Sequence, residues 1–421
     1  MKSLHPQRSL WRNHNFLLLW GGEELSMLGT TISSLALPFL ILSLTHSLAQ
    51  AGIASAVGQV PFVLFGLFAG VMVDRWNRKL LMIICESVAL LAMSSIAIAL
   101  AWHNVTIIQI DIVQFLIGTS YVFYSIAEVA SISSVVEKRQ LGTAMGYNEA
   151  MFSGSSLIGA PLGGILLRLN LALPFVADAV SYIFSLASLI LIRIPFQQER
   201  TLPRQQILLE MRDGLQWIWR KPVFRAMMLF SCCVNFIFGG VLLMLIALTQ
   251  YRVAANQQAS VAVITGTILA SGGIGGLCSS FLSPWIQRRF AFAPAILTTV
   301  WIEAGLFTLL PLMPTIPALA VCFTLLMINS PIVNVVAVSY RLALIPDALQ
   351  GRVNSAYRTV GLGLQPLGAL IAGFALQRFG AVVTVLGFGY FYLVVVLVFT
   401  IVPAVRHAPP LVNAEVANAT P

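Results

Sequence analysis

Charge is what this chain has least of. Of its 421 residues only 9% are Asp, Glu, Lys or Arg, whereas 58% are apolar and the mean hydropathy is +0.89. Soluble domains carry about 25% charged residues, so a chain folded in water is excluded and an integral membrane protein is expected. Histidine is scarce too, at five residues. His5, His14, His46, His103 and His407 lie near chain ends or between apolar runs, and no catalytic or metal-binding constellation is built from them. The five cysteines, Cys85, Cys232, Cys233, Cys278 and Cys322, fall inside apolar runs without metal-ligand spacing. They read as small hydrophobes, and no disulfide is expected. A Walker-type phosphate loop is missing too, which argues against ATP as the driving force. No metal and no cofactor are expected, and an enzyme is disfavoured for want of a catalytic cluster.

Long apolar runs are what the chain has in plenty. They fall near 16–43, 50–73, 80–102, 106–130, 147–169, 174–193, 223–248, 259–284, 292–312, 315–339, 353–375 and 382–402. Each meets or nearly meets the ~20 residues that a spanning helix needs, so twelve transmembrane helices are expected in an all-α membrane protein. The basic start, Met1 to Asn15, precedes an apolar run as a signal peptide would. The length of that run, Glu23 and Glu24 within it, and the spans that follow argue for a first transmembrane helix instead.

Orientation follows from Lys and Arg, which favour cytoplasmic loops. With both termini cytoplasmic, 21 of the 24 basic residues lie inside; Arg168, Arg252 and Arg378 lie outside. This asymmetry accounts for the net charge of +9 without nucleic acid. The bilayer is the expected partner, at the inner (plasma) membrane.

A polar stretch, 194–222, divides the chain into a first bundle (1–193), a cytoplasmic linker, and a second bundle (223–421). The linker's second half, Leu208-Leu-Glu-Met-Arg-Asp-Gly-Leu-Gln-Trp-Ile-Trp219, has the pattern of an amphipathic helix lying on the inner surface. The halves echo one another. Pro161-Leu162-Gly163 follows Asn148 by thirteen residues, and Pro366-Leu367-Gly368 follows Asn354 by twelve. After the second run stands Gly70-Val-Met-Val-Asp74-Arg75-Trp76-Asn77-Arg78-Lys79. After the eighth stands a worn copy, Gly276 to Arg288-Arg289, with Ser283-Pro284 in place of the acid and base. Two pseudo-symmetric six-helix bundles are the expectation.

The pattern G-x-x-x-D-R-x-x-R-K resembles the loop signature of the major facilitator superfamily of transporters, between helices two and three. Further pieces resemble its enterobactin-exporter and macrolide-efflux group. They are Ile345-Pro346-Asp347-Ala348-Leu349-Gln350-Gly351-Arg352-Val353-Asn354, Asn15-Phe16 with Trp20 and Ser26-x-x-Gly29, Asp178-Ala179-x-Ser181-Tyr182, and the stretch from Glu210 to Arg225. The resemblance covers nearly the whole chain. It implies a secondary transporter whose Gly70, Asp74, Arg75, Arg78 and Lys79 latch the two halves in one conformation, with Gly70 allowing close helix approach. It also implies a cavity lined by helices one, two, four, five, seven, eight, ten and eleven.

Ionisable residues inside spans are costly and mark function. Glu23 and Glu24 on helix one are the leading proton-coupling candidates, at most one of them facing the cavity squarely because neighbours on a helix point about 100° apart. Glu128 and Glu149, near the inner ends of helices four and five, are the next; pairing with Lys138, Arg139 or Arg358 is their competing role. Glu86 and Glu303, equivalent positions on helices three and nine, read as structural. Gln59, Gln114, Asn148, Asn235 and Asn329 are candidates for the cavity wall. Gly159, Pro161, Gly163 and Gly164, with Pro366 and Gly368, are candidates for close helix packing. Two departures weaken the comparison with proton-driven exporters: Gln114 stands where an Arg is common, and the G-P-x-x-G-G run is displaced by one.

The expected activity is export of small amphipathic molecules, a drug such as a macrolide or a siderophore, in exchange for protons, by a monomer. A lysophospholipid or other metabolite transporter, an importer, or a membrane transceptor remain the alternatives.

Overall fold

The computed structural model describes residues 10–136, 140–194, 196, 207–253, 260–346, 349–406 and 408. Among them there is no strand. The first six spans are α1 (His14–Thr45), α2 (Leu48–Arg75), α3 (Arg78–Ala101), α4 (Ile107–Val135), α5 (Leu141–Leu169) and α6 (Leu173–Leu191). Four of them start on side-chain caps: Asn13, Ser47, Asn77 and Thr106 each accept a bond from the backbone N–H three residues on. A cap of this kind contributes about 1 kcal/mol. Here it also fixes where each apolar run enters the helix.

The second half opens with α7 (Ile207–Arg220), the helix expected from the linker's second half. Residues 195 and 197–206 of the linker lie outside the described residues. Span seven is split into α8 (Pro222–Phe238) and α9 (Val241–Arg252) at Gly239–Gly240. α10 (Val261–Arg289), α11 (Phe292–Leu309) and α12 (Ile316–Leu344) are spans eight to ten. Span eleven begins as α13 (Gln350–Leu362), breaks, and continues into α14 (Gln365–Ile401); a four-residue α15 (Pro403–Arg406) is the last described helix.

The apolar stretch Arg352–Ile401 is 50 residues long. At 1.5 Å per residue it would measure ~75 Å as one helix, more than twice a ~30 Å hydrocarbon core. The chain resolves this at Gly380, whose φ of 78° lies in the left-handed region that glycine adopts freely. The turn there separates spans eleven and twelve, so the twelve runs become twelve crossings in two six-helix bundles.

At the ends opposite the chain termini the bundles touch, backbone against backbone. On one side α2 crosses α14, where a Cβ at Gly52 would lie 2.7 Å from the Cα of Gly373. The Leu48 N–H donates to Gln377 Oε1 at 2.8 Å beside it. On the other side α5 crosses α10: a Cβ at Gly164 would lie 2.6 Å from the Ala262 carbonyl oxygen. Small residues at such crossings let helices approach where lipid offers no hydrophobic drive.

The broken spans seven and eleven also meet, at their breaks. A Cβ on Gly239 would collide with the Gln365 carbonyl, and one on Gly368 with that of Phe236. Breaking a helix frees carbonyls that must find donors in the membrane. Gln59 of α2 supplies one, its Nε2 donating to the Gly239 oxygen at 3.4 Å.

Candidate functional site

Toward the ends that carry the termini lies a cavity of about 410 Å³, walled by α1, α3, α4, α5 and α6 and reached from the other bundle by Arg358. Helical spacing places its acids. On α4, Ile117, Tyr121, Tyr124 and Glu128 recur every third or fourth residue and line one face. On α1, Glu23, Met27 and Thr30 do the same.

The centre of the site is a pair of carboxyls from two helices. Glu128 is 5% exposed, and Asn148 of α5 donates Nδ2–H to its Oε1 at 2.9 Å. Glu23 of α1 stands with Glu128 on the wall of this cavity. Two carboxyls bond to one another only when one carries a proton. Glu24 lines the same cavity with one carboxyl oxygen buried and unpartnered. Both adjacent acids thus reach the wall, where at most one was expected to face it squarely. The cavity is wide enough to span the angle between them.

Glu86, which reads as structural from sequence, also reaches the cavity. It is 4% exposed on α3, with the Ser26 hydroxyl 3.5 Å from its Oε1. A side chain from an outer helix reaches the wall here because Ser26 is small. Asp178, fully buried on α6, braces α1: it accepts from Ser33, and a Cβ at Gly29 would lie 2.8 Å from its Oδ1.

A larger cavity of about 770 Å³ lies in the second bundle. It is lined by Asn235 of α8, Glu303 of α11, Arg341 of α12 and Asn354, Tyr357 and Arg358 of α13. Arg341 donates Nε–H to Asn354 Oδ1 at 3.0 Å and lies 3.9 Å from the centre of the Tyr357 ring. Glu303 is fully buried and, like its counterpart Glu86, faces a cavity.

The five amides expected in the wall divide. Asn148 and Asn235 line cavities. Asn329 does not: it is buried and donates Nδ2–H to the Thr299 carbonyl at 2.8 Å, tying α12 to α11. Gln59 is spent on the break in span seven. Gln114 packs against α2, its Nε2 3.1 Å from a Cβ placed on Gly58. Polar residues in a membrane helix serve packing as readily as cavities, and spacing alone does not separate the two. The Glu149 side chain, Lys138 and Arg139 lie outside the described residues.

The glycine-rich run of α5 lies between two partners. Cβ atoms at Gly159 and Gly163 would meet Thr31 and Ile32 of α1 at 3.0 and 2.8 Å, while Gly164 faces α10. Pro161 meets α10 as well, its Cα 3.1 Å from a Cβ on Gly266. Pro366 and Gly368 sit at the start of α14, buried.

The loop between α2 and α3 forms a staple. Asp74 pairs with Arg78 at 2.9 Å across the helix break, and Arg78 also donates to the Ala130 carbonyl of α4 at 3.2 Å. Lys79 donates to the carbonyls of Ile190 and Ile192 at the end of α6. Arg75 is exposed. Nothing lies within 4 Å of a Cβ placed on Gly70. The close approach expected there is absent in this conformation, because the bundles meet at their other ends.

A profile of the major facilitator superfamily matches residues 19–302. The chain belongs to that superfamily. This facilitator is 23% identical over 370 residues to macrolide efflux protein A of Streptococcus pyogenes, covering 87% of this chain and 90% of the relative. It is 21% identical over 355 residues to the multidrug efflux pump Tap of Mycolicibacterium fortuitum, covering 82% and 85%. Among solved structures it is similar to a bacterial homologue of the human lysosomal transporter Spinster, in an inward-facing and unoccupied conformation, with TM-score 0.73 at 14% identity over 95% of this chain and 98% of that one. The nucleoside transporter NupG matches with TM-score 0.74 at 14% identity, over 94% and 100%. The facilitator is thus a multi-pass membrane transporter of small molecules.

Proposed function

We propose that this facilitator exports small amphipathic molecules across the inner membrane in exchange for protons, acting as a monomer with both termini in the cytoplasm. Drug-like compounds such as macrolides, or siderophores, form the substrate class; the efflux names of its relatives support this direction. The observation that carries the coupling is the Glu23–Glu128 carboxyl pair in the cavity wall. Facing outward, the pair takes up a proton. Facing inward, it gives the proton up, and a substrate takes its place against the same carboxylates. Each cycle then couples one exit to one entry. The test is efflux of a fluorescent amphipath from proteoliposomes carrying a proton gradient. Accumulation on the acidic side, collapsed by an uncoupler, supports the reading; uncoupler-insensitive accumulation rejects it.

The orientation has its own check. His46, exposed between α1 and α2, and Lys221, exposed before α8, lie at opposite ends of the bundles. On a cysteine-free background, an impermeant thiol reagent added outside should label His46→Cys and leave Lys221→Cys untouched. The reverse pattern would overturn the cytoplasmic termini.

We also propose that the Gly70–Lys79 loop is a latch for the other conformation. As a partly exposed ion pair, Asp74–Arg78 contributes about 0.2–1 kcal/mol here. Conformational coupling is worth about 1–3 kcal/mol, or 5–150-fold. Asp74→Asn should therefore leave insertion and melting temperature unchanged while lowering transport at least fivefold. Wild-type turnover at equal expression would remove the latch assignment.

A further inference from the structure

The two cavities differ in the sign of their charge and share one residue. Glu23, Glu24, Glu86 and Glu128 stand on the wall formed by the first bundle. Arg341 and Arg358 stand on the wall formed by the second, where Glu303 is the one acid among the described residues. Arg358 lines both cavities: it enters the acidic one from α13, across the gap between the bundles, near Tyr121 of α4. Among the described residues no carboxylate lies within ion-pair distance of Arg358. The neighbouring Arg341 is held in place by Asn354 and the Tyr357 ring, with its guanidinium still on the cavity wall. Around these heads the lining is apolar and aromatic, with Met27 and Ile117 on one side and Met227, Phe230 and Phe238 on the other.

A purely cationic substrate would use only the acidic wall and leave the guanidinium groups of Arg341 and Arg358 without an anion to pair with. A purely anionic one would meet four carboxyls. A ligand with a cationic amine at one end and an anionic group at the other satisfies both walls. Resting on the export reading above, we infer that the preferred substrate of this transporter is a zwitterionic amphipath, its amine directed to Glu23 and Glu128 and its acidic group to Arg358 and Arg341. Electrostatic complementarity gives selectivity in this way more than raw affinity. A ligand of one sign meets like charge on the opposite wall, which discriminates against it.

The experiment compares three dansyl probes on one alkyl scaffold, ending in an amine, a carboxylate, or an amino acid that carries both. They are titrated into the purified full-length protein in a non-ionic detergent, and binding is read from dansyl emission. The amino-acid probe should bind at least tenfold more tightly than either singly charged probe. Arg358→Ala should erase its advantage over the amine, and Arg358→Lys should restore part of it. Equal binding of the amine and the amino acid, or an unchanged ranking in Arg358→Ala, would overturn the inference. That result leaves proton-driven efflux of the amine probe standing, so the two readings fail separately. Binding of none of the three by protein that melts at the wild-type temperature overturns the inference as well.

Discussion

Replacing Glu23 and Glu128 together by glutamine should abolish uphill efflux while sparing downhill exchange. Glutamine keeps the shape of a protonated carboxyl and can still donate a hydrogen bond, so the α1–α4 contact survives. What is lost is the ability to give the proton up. The cavity would then be fixed in its loaded form: substrate equilibrates but is not concentrated against its gradient. The expected effect is complete loss of uncoupler-sensitive accumulation, with counterflow of labelled substrate retained at wild-type order. Each single substitution leaves one carboxyl beside an amide, and should weaken coupling by tenfold or more, because the carboxyl then lacks its partner acid. If the double variant still concentrates substrate in an uncoupler-sensitive way, coupling resides elsewhere, and Glu24, Glu86 or Glu149 becomes the next group to test.

The second large effect is expected at the crossing of α2 and α14. Gly52 and Gly373 face one another so closely that a Cβ on either would lie 2.7 Å from the other's Cα. Backbone cannot yield as a side-chain tip does, so Gly373→Val must drive the two bundles apart at that end. Overpacking typically costs about 1–3 kcal/mol, which is roughly 5–150-fold in a conformational equilibrium. The observed conformation should be depopulated, with transport reduced at least tenfold. A cysteine at position 48, beside the Leu48–Gln377 bond, should become reactive to a thiol reagent added at that end. Gly387→Val on the same helix is the control, since nothing lies within 4 Å of its Cβ. It should behave as wild type; if both variants lose transport alike, the crossing is not what limits it.

Much of the fold is legible in the sequence because lipid leaves few choices. A run of ~20 apolar residues must become a helix that bonds its own backbone, and the twelve runs are the twelve spans. The breaks at Gly239–Gly240 and Gly363–Leu364 were hidden, since Gly in a membrane helix more often marks packing than interruption. The site was legible in part. Glu23, Glu24 and Glu128 stand out as acids in apolar helices, but nothing local says that Glu23 and Glu128 share a wall. They stand 105 positions apart, and only the packing of α1 on α4 brings them together. Glu86 sits on a helix that the resemblance places outside the cavity, and Arg358 reads from sequence only as a partner for Glu128 or Glu149. Long side chains reach past a small neighbour such as Ser26, and Arg358 reaches across the gap between bundles. Asn329 and Gln114 were overrated because an amide inside a span can serve a neighbouring helix just as well.

The paired breaks of spans seven and eleven make a jointed arm. α8 and α13 lie on the same side of the two breaks, and together they carry Asn235, Asn354, Tyr357 and Arg358 of the larger cavity. α9 and α14 continue on the other side, where α14 is clamped to α2. Bending at the joint would change the width of the second-bundle chamber, and swing Arg358 relative to the acids, without opening the α2–α14 clamp. The breaks pack so tightly on each other that one cannot flex alone. Spin labels on α8 and α4 should therefore report distance changes on substrate addition while a pair on α2 and α14 stays fixed; equal changes in both pairs would mean the bundles rock as solid blocks.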